Sequence, residues 1–413
     1  MMELWEKLFL PEVWQEFLDY KIEKQHISDA EKRELEQYIA QKKYLAVLDE
    51  MADAGFELPL PYKKEINKTG VAKKRIVYSY PRDFGMLLKL IAYLLYRYDD
   101  IFADNCYAFR RSYGVKDAVK RIRSAKDISQ KYCLKVDISN YFNSIDVPML
   151  LEKLSFLKQK DLKLSVFLTK LLTADRAIVS EEGQEQCIVE KRGAMAGTPI
   201  SPFLANVYLM DVDVFFAREG VLYFRYSDDI LLFADSMQEL DMRKAQLYDR
   251  LERARLKLNP AKVHISMPGD AFEFLGLLFR DNLVDLSAAT ILKMKGKIKR
   301  KAHALRRWQE KKKLPGERAA KGFIKAMNRK LYDSGDGTEF SWSRWFFPCL
   351  TTDKGLKEID VYMQQYIRFC CTGRHYKGNY RITYEQMKQW GYRSLVHAYY
   401  EYRKDRQGRK DNV

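Results

Sequence analysis

The sequence is poor in the residues that build zinc sites and disulfide frameworks. Its 413 residues include six cysteines and five histidines, and no two cysteines form a CxxC pair. A zinc finger needs such close pairs of Cys or His, and a disulfide-stabilised domain needs more cysteines for its length. We therefore expect neither a zinc site nor structural disulfides, and a reducing compartment.

Long apolar runs are also lacking. None approaches the roughly 20 residues that cross a bilayer. The opening stretch, MMELWEKLFLPEVWQEF, carries acidic residues where a signal peptide carries basic ones. We therefore expect a cytoplasmic protein with no membrane partner.

Negative charge is scarce relative to positive charge. The chain has 73 Lys and Arg against 56 Asp and Glu, a formal net charge of +17. Residues 291–330 hold sixteen Lys or Arg and two Glu, an excess of 14. This balance favours nucleic acid as a partner. Because Ile298 and Phe323 interleave with the Lys and Arg residues, the segment predicts basic helices that contact a phosphate backbone. The alternative is a solvated helical surface.

Two adjacent carboxylates stand within residues 224–234, FRYSDDILLFA. The residues on both sides of Asp228 and Asp229 are β-prone, which predicts a hairpin with the acids at its tip. Like charges held together repel each other, so either a divalent cation binds them or the turn is solvated. A second Tyr-Asp-Asp run, at residues 98–100, follows a helical pattern, so the tripeptide alone does not decide.

A third carboxylate, Asp137, follows a short apolar strand in LKVDISNYFNSID. Phosphoryl transfer on two metal ions needs carboxylates from separate strands that converge on one point. Asp137, Asp228 and Asp229 could supply that set of ligands.

Several segments, taken in order, resemble the motif series of reverse transcriptases. They are KVDISNYF, AGTPISPFLANVYL, RYSDDILLF, LNPAK and FEFLG, preceded by the fingers-like KTGVAKKRIVYSYP and YAFRRSYGVKDAV. The resemblance runs from about residue 63 to 280. It implies an α+β fold, a right-hand polymerase of fingers, palm and thumb with an antiparallel palm sheet and a helical thumb.

The resemblance and the composition together predict the domain boundaries. We expect an N-terminal helical extension over 1–60 and fingers over 61–130. The palm would cover 131–285, with a helical insertion over about 148–190. A basic helical thumb and C-terminal tail would follow over 286–413.

The same resemblance implies the catalytic residues. Asp137, Asp228 and Asp229 match the family's catalytic carboxylates, with Asp229 the more peripheral metal ligand. Ile138 would offer its backbone carbonyl to a metal. Two Mg²⁺ ions are implied, with Mn²⁺ as an alternative, and dNTPs are the implied substrates.

Further positions match nucleotide contacts of the family. Phe142 falls at the steric gate, where a ring excludes a 2′-hydroxyl. Lys68 and Arg75 match the triphosphate clamp, for which a Lys point charge and an Arg fork are suited. Lys73 or Lys74 could take the place of Lys68.

The loop that packs on the incoming nucleotide matches at Gly197 and Pro199. It departs from the family at Ala196, where a glutamine is usual, and this puts the usual nucleotide contacts in doubt. Lys262 in LNPAK matches the lysine proposed to protonate the leaving pyrophosphate.

Nucleic-acid contacts are predicted in three places. The matches to template-backbone contacts are Arg110 and Arg111. The primer grip is matched by Phe274, Leu275 and Gly276. The thumb contacts predicted from charge are Lys297, Arg300 and Lys301.

The C-terminal tail, with its Gly-Tyr-Arg-Ser-Leu, resembles those of intron-derived and defence-associated bacterial reverse transcriptases. The retron signatures Val-Thr-Gly and Asn-Ala-x-x-His are absent. We therefore predict an RNA-directed DNA polymerase, resembling the single-polymerase type 2 defence class, that copies a structured noncoding RNA into cDNA. The alternatives are a group II intron enzyme that assists splicing, an idle RNA-binding protein, and an RNA-templated RNA polymerase, against which Phe142 argues.

Overall fold

The computed structural model describes residues 2–25, 27–53, 55–67, 74–181, 184–332 and 341–410. The chain divides into two compact units. Unit 1 comprises Met1–Lys24, Ala30–Ala118 and Gln130–Pro268. Unit 2 comprises Gln25–Asp29, Val119–Ser129 and Gly269–Val413. Among the described residues, no helix is both long and apolar enough to span a bilayer.

The α-helices before Pro268 belong mainly to unit 1, and α6 ends within unit 2. They are α1 Leu4–Lys7, α2 Pro11–Tyr20, α3 Asp29–Ala40, α4 Lys43–Ala52, α5 Arg82–Leu95, α6 Val115–Ser124, α7 Tyr141–Ser144, α8 Val147–Lys153, α9 Phe156–Lys160, α10 Leu162–Thr173, α11 Ser201–Arg218 and α12 Met237–Arg253. The helical character predicted for the N-terminal residues agrees with α1–α4, where Trp14 stacks on Tyr44 with ring centroids 4.8 Å apart.

The strands of unit 1 form two sheets. They are β1 Tyr62–Asn67, β2 Lys74–Ser79, β3 Tyr132–Asp137, β4 Arg176–Glu181, β5 Gln184–Val189, β6 Tyr223–Tyr226, β7 Asp229–Ala234 and β8 His264–Ser266. One sheet has the order β6-β7-β3-β8 with every neighbouring pair antiparallel. Leu134, Val136, Ile230 and Leu232 are buried in it, so apolar and β-branched residues drive these strands into the core.

The second sheet has the order β2-β1-β4-β5, in which β1 and β4 run parallel. The helical insertion predicted over about 148–190 is helical only as far as Thr173. Residues 176–181 and 184–189 form the hairpin of β4 and β5 instead. The β-prone run Ala-Ile-Val at 177–179 and the edge offered by β1 favour a strand there, which the surrounding helical sequence concealed.

Unit 2 combines a small sheet with a helical bundle. Its strands are β9 Phe272–Phe274, β10 Leu277–Arg280 and β11 Leu283–Leu286, in the order β11-β10-β9. Its helices are α13 Ala288–Lys311, α14 Gly316–Leu331, α15 Trp342–Phe346, α16 Lys354–Thr372, α17 Tyr384–Gln389 and α18 Leu395–Lys410. Helices α13, α14 and α16 pack on one another around buried Ile298, Phe323 and Ile359. Residues 272–279, FEFLGLLF, form the β9–β10 hairpin.

Candidate active site

Asp137 ends strand β3 at the edge of the unit 1 core. The strand ends at this residue, and Asp137 is 6% exposed. Lys262, in the turn before β8, donates from Nζ to Oδ2 of Asp137 at 2.6 Å. Lys262, the lysine of LNPAK, therefore contacts Asp137, the first of the three predicted catalytic carboxylates.

Asp229 begins β7 directly opposite Asp137 in the antiparallel register. Directly opposed residues of an antiparallel pair share a face of the sheet, so the two side chains project to the same side. Asp228 lies in the turn between β6 and β7, after Ser227, whose φ of 62° is left-handed. The amide of Ile138 donates to the Asp228 carbonyl at 3.1 Å. The predicted hairpin with acids at its tip is thus present, beside Asp137.

Burial raises the pKa of both acids in the hairpin. For Asp228, burial is the main cause and the negative charge of Asp137 adds to it. Burial raises the pKa of Asp229 to about 6, where Lys135 opposes the increase and Asp228 and Asp137 add to it. Burial alone would lower the pKa of Lys262, but the hydrogen bond and charge of Asp137 raise it. Negative charge is therefore crowded here and favours a cation.

The donor atoms at this end of the sheet fit a hard divalent cation, because Mg²⁺ is held through carboxylate oxygens. In the part of the chain that the structure describes, no three His, Cys, Asp or Glu side chains form a preassembled metal site. Lys262 occupies one oxygen of Asp137. The arrangement places carboxylates on adjacent strands rather than in a closed cage.

Phe142 lies in α7, five residues after Asp137, and its half-buried ring packs edge-on against Phe109 with centroids 6.2 Å apart. Its carbonyl accepts a hydrogen bond from the Ala194 amide at 2.8 Å. At Gly193, with φ of 56°, a Cβ would lie 2.5 Å from that same carbonyl oxygen. Only glycine permits this approach, so the segment before the nucleotide loop determines the backbone position of Phe142.

Asn143, which the sequence analysis did not single out, connects three segments. Its Oδ1 accepts from the Ala196 amide at 3.0 Å, and its Nδ2 donates to the Ile76 carbonyl at 3.2 Å. The Ala196 carbonyl accepts from the Tyr78 amide at 2.7 Å. The loop that holds the unusual Ala196 is therefore attached to strand β2 on one side and to α7 on the other.

The neighbouring residues of that loop are shaped by close contact with β2. Gly197 has φ of 100°, and a Cβ there would lie 3.0 Å from the Tyr78 carbonyl oxygen. Pro199 is half-buried, and the Ser201 hydroxyl donates to the Met195 carbonyl at 2.5 Å. The loop is thus held by its own contacts, and α11 begins directly after it.

Of the predicted triphosphate clamp, Arg75 lies exposed on β2, next to Ile76. Lys68 and its substitute Lys73 lie outside the described residues. Lys74 forms an exposed ion pair with Glu65, Nζ to Oε2 2.7 Å. Arg75 therefore lies on β2, the strand that is hydrogen-bonded to Asn143 and Ala196.

The two arginines predicted to contact the template differ in the structure. Arg111 is exposed. The Arg110 side chain is 4% exposed and pairs with Asp99, Nε to Oδ2 3.2 Å. Its guanidinium also donates to the Ala103 carbonyl at 2.8 Å and lies 4.2 Å from the Tyr113 ring centroid. This geometry does not support a template contact for Arg110, because its donors are used within the chain.

A buried ion pair connects the acidic hairpin to helix α11. Arg225 of β6 and Asp213 of α11 are both 0% exposed, and Arg225 Nε donates to Asp213 Oδ1 at 2.8 Å. Arg225 Nη1 also donates to the Ser227 carbonyl at 3.3 Å. The available sequence signal was the presence of charged residues within two largely apolar runs, SPFLANVYLMDVDVFF and VLYFRYS.

In unit 2, the predicted primer grip is the turn between β9 and β10. Phe274 pairs with Leu277, so Leu275 and Gly276 form a two-residue loop, with φ of 54° and 79°. The Thr290 hydroxyl donates to the Gly276 carbonyl at 2.7 Å. The hairpin is therefore attached to the start of α13.

The three predicted thumb contacts line one cavity. Lys297, Arg300 and Lys301 lie on α13 and face α14 across a cavity of about 710 Å³. Basic residues of α14 line its other side, namely Lys325, Arg329 and Lys330. Burial lowers the pKa of Lys297, with added repulsion from Lys330, Arg300 and Lys293. We name this cavity the basic groove.

Comparison with solved structures finds weak similarity to telomerases. One is telomerase from Candida albicans in complex with a TWJ fragment of telomeric RNA, with 14% identity and a TM-score of 0.45, covering 86% of this chain and 68% of that one. Another is apo telomerase from Candida tropicalis truncated from its C-terminal domain, with 15% identity and a TM-score of 0.44, covering 57% of this chain and 56% of that one.

Two further comparisons rest on sequence. The Retron Ec86 reverse transcriptase of Escherichia coli is 28% identical over 106 residues, which are 25% of this chain and 33% of that relative. The chain thus matches about a third of that relative's length. The family model "Reverse transcriptase (RNA-dependent DNA polymerase)" matches residues 66–279, more than half of the chain. The chain therefore belongs to the reverse transcriptase family.

Proposed function

We propose that this protein is an RNA-directed DNA polymerase whose active site is formed by Asp137, Asp228 and Asp229. The observation that carries the proposal is the direct pairing of Asp137 with Asp229, with Asp228 in the adjoining turn. These carboxylates would hold two Mg²⁺ ions, with Mn²⁺ as the alternative, and Ile138 would add its carbonyl oxygen. When bound, such ions stabilise the charge that develops on the phosphate and on the attacking and leaving oxygens.

The chain's own residues position the nucleotide. Arg75, exposed on β2, would bind the triphosphate with its planar guanidinium, and Lys68 would assist it. Lys262, held against Asp137, would provide a positive charge for the leaving pyrophosphate. Gly197 and Pro199 would form the surface on which the nucleotide packs.

We propose that Phe142 excludes ribonucleotides. Hydrogen bonding at its carbonyl and the close approach of Gly193 hold its backbone, and Phe109 packs on its ring. A ring held in this way resists displacement by a 2′-hydroxyl. Because Ala196 lacks the amide usual in the family, selection would depend more heavily on Phe142.

Nucleic acid would be held by separate surfaces. The six Lys and Arg side chains that line the basic groove suit a phosphate backbone. Each phosphate that they neutralise releases a counterion. Arg111 is exposed and suited to the template backbone. The Phe274–Gly276 turn would contact the primer strand.

We further propose that the template is a structured noncoding RNA that accompanies the enzyme, and that the cDNA product serves antiphage defence. The basic groove and the C-terminal tail, with its resemblance to defence-associated enzymes, support this role. A group II intron enzyme that assists splicing is the second candidate, because its thumb would also be basic and helical.

The nucleic acid that copurifies with the full-length protein tests this proposal. RNA and DNA recovered from wild type would be sequenced beside those from Asp228→Ala/Asp229→Ala. We expect one structured RNA with both proteins, and complementary DNA with wild type alone. The control Asp100→Ala changes the exposed second acid of the other Tyr-Asp-Asp run and should match wild type. Intron RNA would favour the second candidate, and complementary DNA with the double variant would contradict the catalytic assignment.

A further inference from the structure

Three tyrosines project from one short segment of unit 2, residues 374–384, which we name the tyrosine loop. Tyr376 is 48% exposed, Tyr380 is 68% exposed and Tyr384 is 37% exposed. Single exposed aromatic residues are ordinary, but several within one segment mark a binding surface.

The charge of this segment is of one sign. Between Asp360 and Glu385 the sequence contains no acidic residue. The loop, RHYKGNYRITY, alternates its tyrosines with Arg374, Lys377 and Arg381, all of which are exposed. Aromatic rings interleaved with cations suit a ligand that combines flat bases with phosphates.

Tyr380 is prepared for stacking on one side. The guanidinium of Arg368 lies over its ring, 5.0 Å from the centroid, and Arg368 Nε donates to the Ile382 carbonyl at 3.1 Å. The ring nevertheless remains the most exposed of the three. A cation over one face and an open second face are the arrangement in which a base can stack.

Contacts within the loop also hold its backbone in place. Gly373 ends α16 with φ of 75°. The buried Asn379 donates from Nδ2 to the Arg374 carbonyl at 2.6 Å, closing the loop on itself. A Cβ at Gly378 would lie 2.4 Å from the Tyr376 ring, so glycine lets that ring lie close over the backbone. Binding to such a surface loses little conformational entropy.

We propose that the tyrosine loop is a stacking platform for unpaired RNA nucleotides, with Tyr376 and Tyr380 each taking one base. The proposal rests on the proposed function for its choice of RNA. A structured RNA presents splayed bases in loops and bulges, whereas newly copied DNA is paired with its template. This site is separate in its residues from the basic groove, whose charges suit the backbone and not the bases.

The test uses the full-length protein and a fluorescent 12-nucleotide single-stranded RNA containing 4-thiouridine, without dNTPs or divalent metal. We expect photo-crosslinks at Tyr376 or Tyr380. Anisotropy should show binding weakened at least about 25-fold in Tyr376→Ala/Tyr380→Ala, because two base stacks are lost and each contributes about fivefold to a hundredfold. Tyr376→Phe/Tyr380→Phe should bind like wild type, because the ring is retained. The control Tyr400→Ala removes a tyrosine of similar exposure, 47%, from α18 and should change nothing.

Salt dependence separates stacking from charge. The slope of log affinity against log salt should stay the same in the Ala pair and fall in Arg374→Gln/Lys377→Gln/Arg381→Gln. Equal affinity of wild type and the Ala pair would overturn the proposal, as would crosslinks only outside the loop. Equal binding of single-stranded DNA or of duplex RNA of the same sequence would overturn the assignment to unpaired RNA. Because the assay requires no synthesis, a failure of polymerase activity leaves these outcomes readable.

Discussion

Removing the carboxylate of Asp213 should destabilise unit 1 strongly. Asp213 and Arg225 are both 0% exposed, and the Tyr223 hydroxyl also donates to Asp213 Oδ1 at 3.1 Å. Asp213→Asn keeps the shape of the side chain but leaves the guanidinium buried without a counter-charge. Loss of one partner of a buried pair costs about 3–5 kcal/mol. At about 2–4 °C per kcal/mol for a unit of this size, Tm should fall by about 6–20 °C.

Denaturation followed by circular dichroism measures this loss. The control Asp249→Asn breaks an exposed pair with Arg253 on α12, Nη2 to Oδ2 3.0 Å, and should change stability by about 0.5 kcal/mol or less. Asp213→Leu/Arg225→Met should recover most of the loss, because no charge remains unpaired. If Asp213→Asn proved as stable as Asp249→Asn, the supporting role of the pair would be refuted.

Three further changes test the site and the basic groove. Phe142→Ala should reduce discrimination against ribonucleotides by at least about tenfold, since it removes the proposed steric block; unchanged discrimination in single-nucleotide kinetics would place the gate elsewhere. Gly193→Ala should unfold at a lower temperature than Gly220→Ala, because both glycines have positive φ but a Cβ clashes only at Gly193. Equal melting temperatures would show that the close approach of Gly193 to the Phe142 carbonyl is unimportant. Replacing Lys297, Arg300 and Lys301 together with Gln should reduce the slope of log RNA affinity against log salt by about two to three, at about 0.7–0.9 per phosphate. The charge-matched control replaces Lys158, Lys160 and Lys163, all exposed in unit 1, with Gln. An equal slope in both triple variants would indicate that the Lys and Arg side chains of the basic groove contact only water.

Local pattern was enough to predict the acidic hairpin, and the resemblance of the ordered motifs indicated the family. Asp228 and Asp229 lie between two β-prone runs, and a hairpin depends on such local signals. The α+β class and the membership in the reverse transcriptase family are confirmed. The predicted roles of the individual site residues and the domain boundaries stay predictions.

Features that depend on distant contacts were not accessible from the sequence. The β4–β5 hairpin joins β1 across more than a hundred residues of chain, so its strand character was hidden among helical segments. Arg110 reads as one of two surface arginines, yet Asp99 and the surrounding carbonyls bury it. Asn143 resembles any turn residue until its contacts with Ala196 and Ile76 are seen. Long-range packing determined each of these outcomes.

Primer extension on an RNA template tests the central claim most directly. Purified full-length wild type and Asp228→Ala/Asp229→Ala would be given a primed RNA, dNTPs and Mg²⁺, and labelled DNA product would be measured. Wild type should extend the primer, and the double variant should make no product while its melting temperature and RNA affinity stay close to those of wild type. Extension by the folded double variant at the wild-type rate would contradict the account.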